Sequence, residues 1–331
     1  MRRGRQNRAV TNGTAGRGDH GHARRTLFPL ASGAQPMRLV TRHTTALVAT
    51  LLLTVAVIPR AQVRPRAQER PARIISVVPA LTEALFAIGA GDEVVGVGTF
   101  DKHPAEVATR TRVGGLLDPD MERIFALRPD LIIFYGSQQD QLAQVTRAGI
   151  DTFTYAHGGI DDTLSVIRQL GARIGRVREA THLASAIDTQ LVDLRTRLEG
   201  RDRPRVLLVF GRQPGSLGNI YASGGTGFLH DMLEAAGGRN VFEHVSRESI
   251  QLSSEAILTA APEVIVELTY DDRVTEDTQA AEVAVWDRLS SVPAVRNSRV
   301  HLLLGNQFVQ PGPRMADATE AIAHALHPDA F

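Results

Sequence analysis

The 331-residue sequence contains no cysteine. That absence excludes a disulfide-stabilised scaffold, a thiolate zinc site, a cysteine nucleophile and a lipid-modified N-terminal cysteine. Aromatic residues are also scarce, at 5% of the chain with a single Trp. The sequence also lacks the G-x-S-x-G, H-E-x-x-H and P-loop patterns, so no recognisable catalytic motif supports an enzyme.

Long hydrophobic runs are missing as well. The most apolar segment, residues 46–58, spans 13 residues, which as a helix would rise about 20 Å against a hydrocarbon layer of about 30 Å. Arg38 and Arg42 precede it and a short Pro-Arg-Ala end follows it. We therefore interpret residues 37–61 as a secretory signal peptide that directs the protein to the periplasm, within a leader and linker covering 1–71. Either Met1 or Met37 could be the start.

An excess of one charge is confined to the leader. Residues 1–61 hold ten Arg and one acid, which leaves 27 basic and 35 acidic residues in the body, or about −8 in total. An acidic surface repels phosphate backbones. The charge distribution therefore excludes nucleic acid as a partner. Separately, we expect the protein to be a monomer.

Beyond residue 72, short β-branched or aromatic runs alternate with amphipathic stretches, which is the pattern of an α/β fold. The predicted strands cover 73–78, 94–98, 131–135 and 151–155, and later 205–210, 264–268 and 299–304. The sequence therefore predicts two α/β lobes, over residues 72–176 and 201–331.

A single long helix is predicted between the lobes, in a linker assigned to residues 177–200. Its apolar residues recur on one face from Ala180 to Leu198, with charges opposite. A helix over 177–199 would be about 34 Å long, and it contains neither Pro nor Gly to bend it.

An internal repeat links the two lobes. Residues 120–134 align without a gap with residues 253–267, so that Glu122 corresponds to Glu255. Asp120 and Ser253 are predicted N-caps, which puts each glutamate in the first turn of a helix, where a carboxylate is favoured.

Residues 72–328 resemble the class III, helical-backbone family of periplasmic substrate-binding proteins that serve ABC importers of cobalamin, haem and iron siderophores. The resemblance is carried by residues 73–106, 113–133, 227–242 and 253–266 together with the linker helix. It implies a non-enzymatic carrier that delivers a metal-chelate small molecule to an importer with a permease dimer. By the same resemblance, Glu122 and Glu255 are the acids that dock onto the permease.

The ligand is expected between the lobes, where loops after the strand ends converge. Several of the scarce aromatics fall at these ends, which favours a flat conjugated macrocycle over a small ion. The candidate ligand-binding residues are Pro79, Ala80, Phe100, Tyr135, Tyr155, Phe210, Arg212, Tyr221 and Phe308. His157 and Tyr270 stand at further strand ends, whereas Trp286 is expected in the core.

The resemblance leaves the ligand open. We expect a corrinoid of the cobalamin type, with a ferric siderophore or haem as the alternative, and no resident cofactor or protein-bound metal. Haem binders of this family carry a ligating Tyr after a Val-Gly pair, whereas Val113 and Gly114 are followed here by Gly115. A metal-cluster enzyme on the same fold would require the cysteine ligands that this chain lacks.

Overall fold

The computed structural model describes residues 70–270 and 273–331. The predicted signal peptide over 37–61, the alternative start at Met37 and nearly all of the predicted linker lie outside the described residues. Within the described ranges, no helix is both long and apolar enough to cross a membrane.

The first lobe contains one sheet in which all neighbouring strands run parallel. Its strands are β1 (Ile74–Ser76), β2 (Val94–Val97), β3 (Thr111–Arg112), β4 (Leu131–Tyr135) and β5 (Asp151–Tyr155). Their order across the sheet is β3-β2-β1-β4-β5. Because the chain order reverses between β1 and β4, the loops that follow these strands diverge and leave a crevice at the carboxyl edge. The short β3 is the one strand of this sheet that no apolar run indicated.

Four helices cover this sheet. They are α1 (Pro79–Ala87), α2 (Met121–Ala126), α3 (Gln139–Arg147) and α4 (Ile160–Arg173). Helix α1 begins with Pro at its first turn, where a missing N–H costs nothing. Burial of both faces of the sheet explains why its central strands read as continuous Ile and Val runs.

The predicted linker helix is confirmed as α5 (Val177–Arg197), two residues shorter than expected. Its buried face contains the predicted series Ala180, Ala184, Ile187, Leu191 and Leu194. Each end is fastened to a different lobe. Arg176 donates to Glu93 at 2.6 Å and Arg197 donates to Glu320 at 3.0 Å.

The second lobe has a mixed sheet. Its strands are β6 (Arg205–Gly211), β7 (Ile220–Ser223), β8 (Arg239–Asn240), β9 (Ser249–Leu252), β10 (Val264–Thr269) and β11 (Val300–Leu304). The order is β11-β10-β6-β7-β9, with β8 paired to β6. Strand β7 runs antiparallel to both of its neighbours, β6 and β9. The sequence predicted β6, β10 and β11 from their apolar runs and missed the other three, which are short or partly exposed.

The helices of the second lobe are α6 (Phe228–Ala235), α7 (Ser254–Ala260), α8 (Glu276–Ala284), α9 (Pro293–Arg296) and α10 (Met315–Leu326). Trp286 lies in a 3₁₀ turn and is fully buried, as predicted. Two α/β lobes joined by a long helix are therefore observed, which confirms the predicted fold class. The residue numbers assigned to the domain boundaries stay predictions.

The internal repeat is visible as two copies of a capped helix followed by a parallel strand. Asp120 accepts a hydrogen bond from the Arg123 amide at 2.9 Å, and Ser253 accepts one from the Ala256 amide at 3.2 Å. Both predicted N-caps are thus confirmed, at the starts of α2 and α7.

The two copies are also anchored in the same way. The Asp130 carboxylate, before β4, accepts from the Arg73 amide at 2.9 Å, next to β1. The Glu263 carboxylate, before β10, accepts from the Arg205 amide at 2.8 Å, at the start of β6. Each acid therefore connects its unit to the strand that opens its own lobe.

Polar contacts also join the lobes directly. Arg314, beside α10, holds the Glu83 carboxylate of α1 through two nitrogens, at 2.5 and 2.9 Å. Asp231 of α6 accepts from the Ile160 amide at 2.9 Å. Since Gly159 at the N-cap of α4 has no side chain, a carboxylate from the second lobe caps the first turn in its place.

We expect Asp231→Ala to lower the free energy of unfolding by about 1 kcal/mol, the usual cost of losing an N-cap. Urea unfolding followed by circular dichroism would measure it. Asp231→Asn keeps an acceptor oxygen and should lose less. Equal stability of the alanine variant and the parent would show that this contact adds nothing.

Candidate ligand site

The carboxyl edges of the two sheets face each other. Ala80, in the first turn of α1, lies against Gly312, which follows β11, with the Ala80 carbonyl 3.2 Å from the position of a Cβ on Gly312. His157, which follows β5, lies close to Phe228 at the start of α6, with ring centroids 6.4 Å apart. The predicted location of the site between the lobes therefore has walls from both.

One wall is formed by two loops of the first lobe that are hydrogen bonded together. The Thr99 amide, in the loop after β2, donates to the Gly114 carbonyl at 2.8 Å. Gly114 has a φ of +87°, and a Cβ there would collide with the Asp118 carbonyl. The neighbouring Phe100 ring is 62% exposed.

Gly115 leaves room for this ring. A Cβ on Gly115 would lie 3.2 Å from the edge of the Phe100 ring. A side chain at position 115 would therefore contact the Phe100 ring.

A buried glutamine connects this wall to β4. Gln138 donates to the Leu116 carbonyl at 2.9 Å and accepts from the Tyr135 amide at 3.0 Å. Leu117 is 91% exposed. Gln138 therefore ties the loop that contains Leu116 and Leu117 to the end of β4.

Four rings form a cluster at the ends of β4 and β5. Tyr135 lies 5.7 Å from Tyr155 and 5.6 Å from His157 between ring centroids. Tyr155 and His157 are 5.2 Å apart. Phe228 completes the cluster from the second lobe. The sequence indicated the first three as strand-end residues but missed Phe228, which stands one residue after the glycine-rich segment 223–227.

The cluster is uncharged at neutral pH. Burial raises the pKa of Tyr135 to about 12, with a smaller rise from the charge of Asp101. Burial likewise raises the pKa of Tyr155. Burial lowers the pKa of His157, although the nearby Glu248 carboxylate opposes that change. Neutral rings suit an apolar macrocycle, and the Tyr155 hydroxyl lies 3.4 Å from the Nδ1 of His157 within the cluster.

Asp101 is a buried acid behind the Phe100 loop. It is 1% exposed, and neither of its carboxylate oxygens accepts a well-formed hydrogen bond. Burial raises its pKa to about 7, partly opposed by the Thr82 hydroxyl and the Arg112 guanidinium. No sequence pattern indicated this residue, because an aspartate in a loop is normally exposed.

The second lobe contributes exposed tyrosines. Tyr221 on β7 pairs with Gly211 at the end of β6 and is 41% exposed. Tyr270 follows β10 and is 57% exposed. Phe210 is partly buried against the core next to this pair.

Arg212 does not face the cleft, which corrects its assignment as a ligand-binding residue. Its side chain is 2% exposed and forms ion pairs with Glu267 at 2.8 Å and Glu282 at 2.9 Å. The Trp286 indole donates to the same Glu267 at 2.8 Å. The guanidinium is therefore paired with two carboxylates inside the second lobe and is not available to a ligand.

Ala80 and Phe308 are each 4% exposed, in the seam where the lobes touch. Pro79 is half-buried beside them. Their contact with a ligand stays a prediction.

The sequence profile of the family described as "Periplasmic binding protein" matches residues 74–305. The chain belongs to this family. Its members are substrate-binding proteins of transporters and not enzymes.

Individual relatives agree with this assignment. The chain is 28% identical to an uncharacterized ABC transporter substrate-binding lipoprotein of Bacillus subtilis, covering 79% of this chain and 82% of the relative. It is 28% identical to the vitamin B12-binding protein of Salmonella typhimurium, covering 77% and 90%. A periplasmic heme binding protein from Pseudomonas aeruginosa has a similar structure, with a TM-score of 0.68, 25% identity, and coverage of 79% and 94%.

In this periplasmic binding protein, Glu122 and Glu255 are exposed and occupy matching places in the first turns of α2 and α7. Across the described ranges, no ion pair involves either carboxylate.

Other sites were sought in the described part of the periplasmic binding protein. It contains no group of three or more His, Asp or Glu residues that could hold a metal ion. Surface hollows beside α5 are lined by charged residues such as Asp161, Arg203 and Asp317. The apolar strand ends remain the better candidate for the ligand.

We expect Asp101→Asn to stabilise the protein at pH 8 by about 2 to 4 kcal/mol and to change little at pH 4.5. The raised pKa means that the folded state binds the proton more tightly, so the parent protein loses stability as the pH rises from about 4 to about 7. Urea unfolding at both pH values would measure this. The exposed Asp193→Asn is the matched control, and an identical gain in both variants would contradict the assignment.

Proposed function

We propose that this protein binds a corrinoid of the cobalamin type in the periplasm and delivers it to the permease dimer of an ABC importer. One observation carries the ligand class. In a chain with 5% aromatic residues, large apolar side chains are exposed at the strand ends of both lobes, including Phe100, Leu117, Tyr221 and Tyr270.

This surface fits a broad, flat ligand better than an ion. Apolar faces stabilise a macrocycle by burial, whereas a small hydrated ion needs charged or carbonyl oxygens. The relative that binds vitamin B12 supports the corrinoid. The export signal interpreted from residues 37–61 supports the periplasm.

A second candidate ligand is haem. The neutral His157 ring, inside the cluster with Tyr135 and Tyr155, is the observation that favours it. The Pseudomonas aeruginosa relative supports this candidate as well. Against it stands the filling of the Gly115 position by the Phe100 ring.

Titration of the purified protein with cyanocobalamin, hemin and ferrichrome tests the proposal, with calorimetry for affinity and visible spectra for iron ligation. We expect cyanocobalamin to bind one to one and most tightly. Phe100→Ala and Tyr221→Ala should each weaken it about 5- to 150-fold, the cost of about 1 to 3 kcal/mol of a buried anchor. Val192→Ala, an exposed apolar residue on α5, is the control.

The outcomes separate the candidates. A shifted haem spectrum without cyanocobalamin binding, lost in His157→Ala, would replace the corrinoid by haem. Preferred binding of ferrichrome would replace it by a siderophore.

We expect Glu122→Ala combined with Glu255→Ala to leave cyanocobalamin affinity unchanged and to weaken binding to the importer. The reason is that both carboxylates are exposed and free of ion pairs and that neither residue belongs to the ring cluster, so docking is expected to be separate from ligand capture. Because salt screens exposed charges, binding of the parent protein should also weaken with added salt. Binding to the importer in nanodiscs measures this, with the exposed Glu106→Ala as control. A large loss of cyanocobalamin affinity in the double variant would contradict the separation.

A further inference from the structure

Two large apolar side chains are exposed at matching positions of the internal repeat. Phe125 on α2 is 36% exposed and Leu258 on α7 is 43% exposed. Each stands three residues after a glutamate, Glu122 or Glu255. The same pair of an acid and an apolar residue is therefore presented once by each lobe.

Packing of the two helices explains why these side chains face water. Ile124 and Ile257 are the fully buried residues of α2 and α7 and connect the helices to the core. Residues three apart on a helix are neighbours on one face, so each apolar side chain adjoins its glutamate. In a helix of two turns, this face lies away from the core.

The pairing is unusual among the exposed apolar residues of the described ranges. Phe100, Leu116, Leu117, Tyr221 and Tyr270 belong to the strand ends, Val177 and Val192 to α5, and Phe331 to the chain end. A single exposed apolar residue needs no explanation. Two at equivalent positions, each beside an unpaired acid, indicate one kind of contact made twice.

We propose that Phe125 and Leu258 form the apolar half of two matching docking surfaces, each completed by its glutamate, and that the occupant is the permease dimer of the ABC importer. This inference rests on the proposed function. A partner that presents two copies of one surface is a dimer with two-fold symmetry. Charge complementarity requires a basic side chain opposite each glutamate, next to an apolar recess for the Phe or Leu.

The two halves of each surface should respond differently to salt. Attraction between exposed charges is screened within about 10 Å at 0.1 M salt. Apolar burial does not depend on charge and is not weakened by ordinary salt. The contribution of Phe125 and Leu258 should therefore persist where that of Glu122 and Glu255 fades.

The test measures binding of the ligand-free protein to the cobalamin-type ABC importer of its source organism, purified in nanodiscs, at about 0.05 and 0.5 M salt. Phe125→Ala and Leu258→Ala should each weaken binding about 3- to 10-fold and together about 10- to 100-fold, at both salt concentrations. The loss in Glu122→Ala with Glu255→Ala should shrink at high salt. Val177→Ala and Val192→Ala are matched controls and should bind like the parent.

Other results would overturn the inference. Unchanged binding of the Phe125 and Leu258 variants, with the parent protein bound, would refute the apolar half and leave the proposed function intact. No binding of the parent protein would refute the proposed function and the docking surface together. Self-association that the two substitutions abolish, measured by analytical ultracentrifugation, would assign the surface to a second copy of this chain. Circular dichroism and cyanocobalamin binding verify that each variant is folded.

Discussion

The continuous helix between the lobes is the constraint on which the rest of the structure depends. Helix α5 contains neither Pro nor Gly, buries one face along its length, and is fastened by Arg176 to the first lobe and by Arg197 to the second. A helix without such breaks does not bend sharply. The Glu83–Arg314 pair adds a contact between the lobes on the side of the strand ends. The spacing of the two carboxyl edges is therefore largely set before a ligand arrives.

Because the space between the two carboxyl edges is largely preformed, the chemistry of the side chains that line it determines which ligand fits. The tyrosines and the histidine at the ends of β4 and β5 are neutral at pH 7, because burial raises the pKa of Tyr135 and lowers that of His157. Arg212 is neutralised within the second lobe by Glu267 and Glu282. The side chains that line this space therefore present mainly apolar surface, which is consistent with a large conjugated ligand.

The internal repeat places two equivalent capped helices on the surface, one on each lobe. The anchors at Asp130 and Glu263 hold both capped helices in the same relation to their sheets. The side chains that leave these helices toward water are therefore arranged alike on both lobes. In the proposed function, ligand capture would use the strand ends, where the lobes differ, and recognition of the transporter would use the helices, where they are alike.

Local pattern was enough to predict the α/β class, the linker helix, the N-caps at Asp120 and Ser253 and the repeat, because periodicity and capping act over a few residues. It also indicated Tyr135, Tyr155 and His157, since parallel strand ends meet at one edge. Only the tertiary structure brought Phe228 to this cluster and buried Asp101 without a partner, because burial depends on distant segments. It also gave Arg212 its carboxylate partners from β10 and α8, about 55 and 70 residues away in the chain. A sequence shows that a charge is present, whereas the fold decides whether that charge is already neutralised.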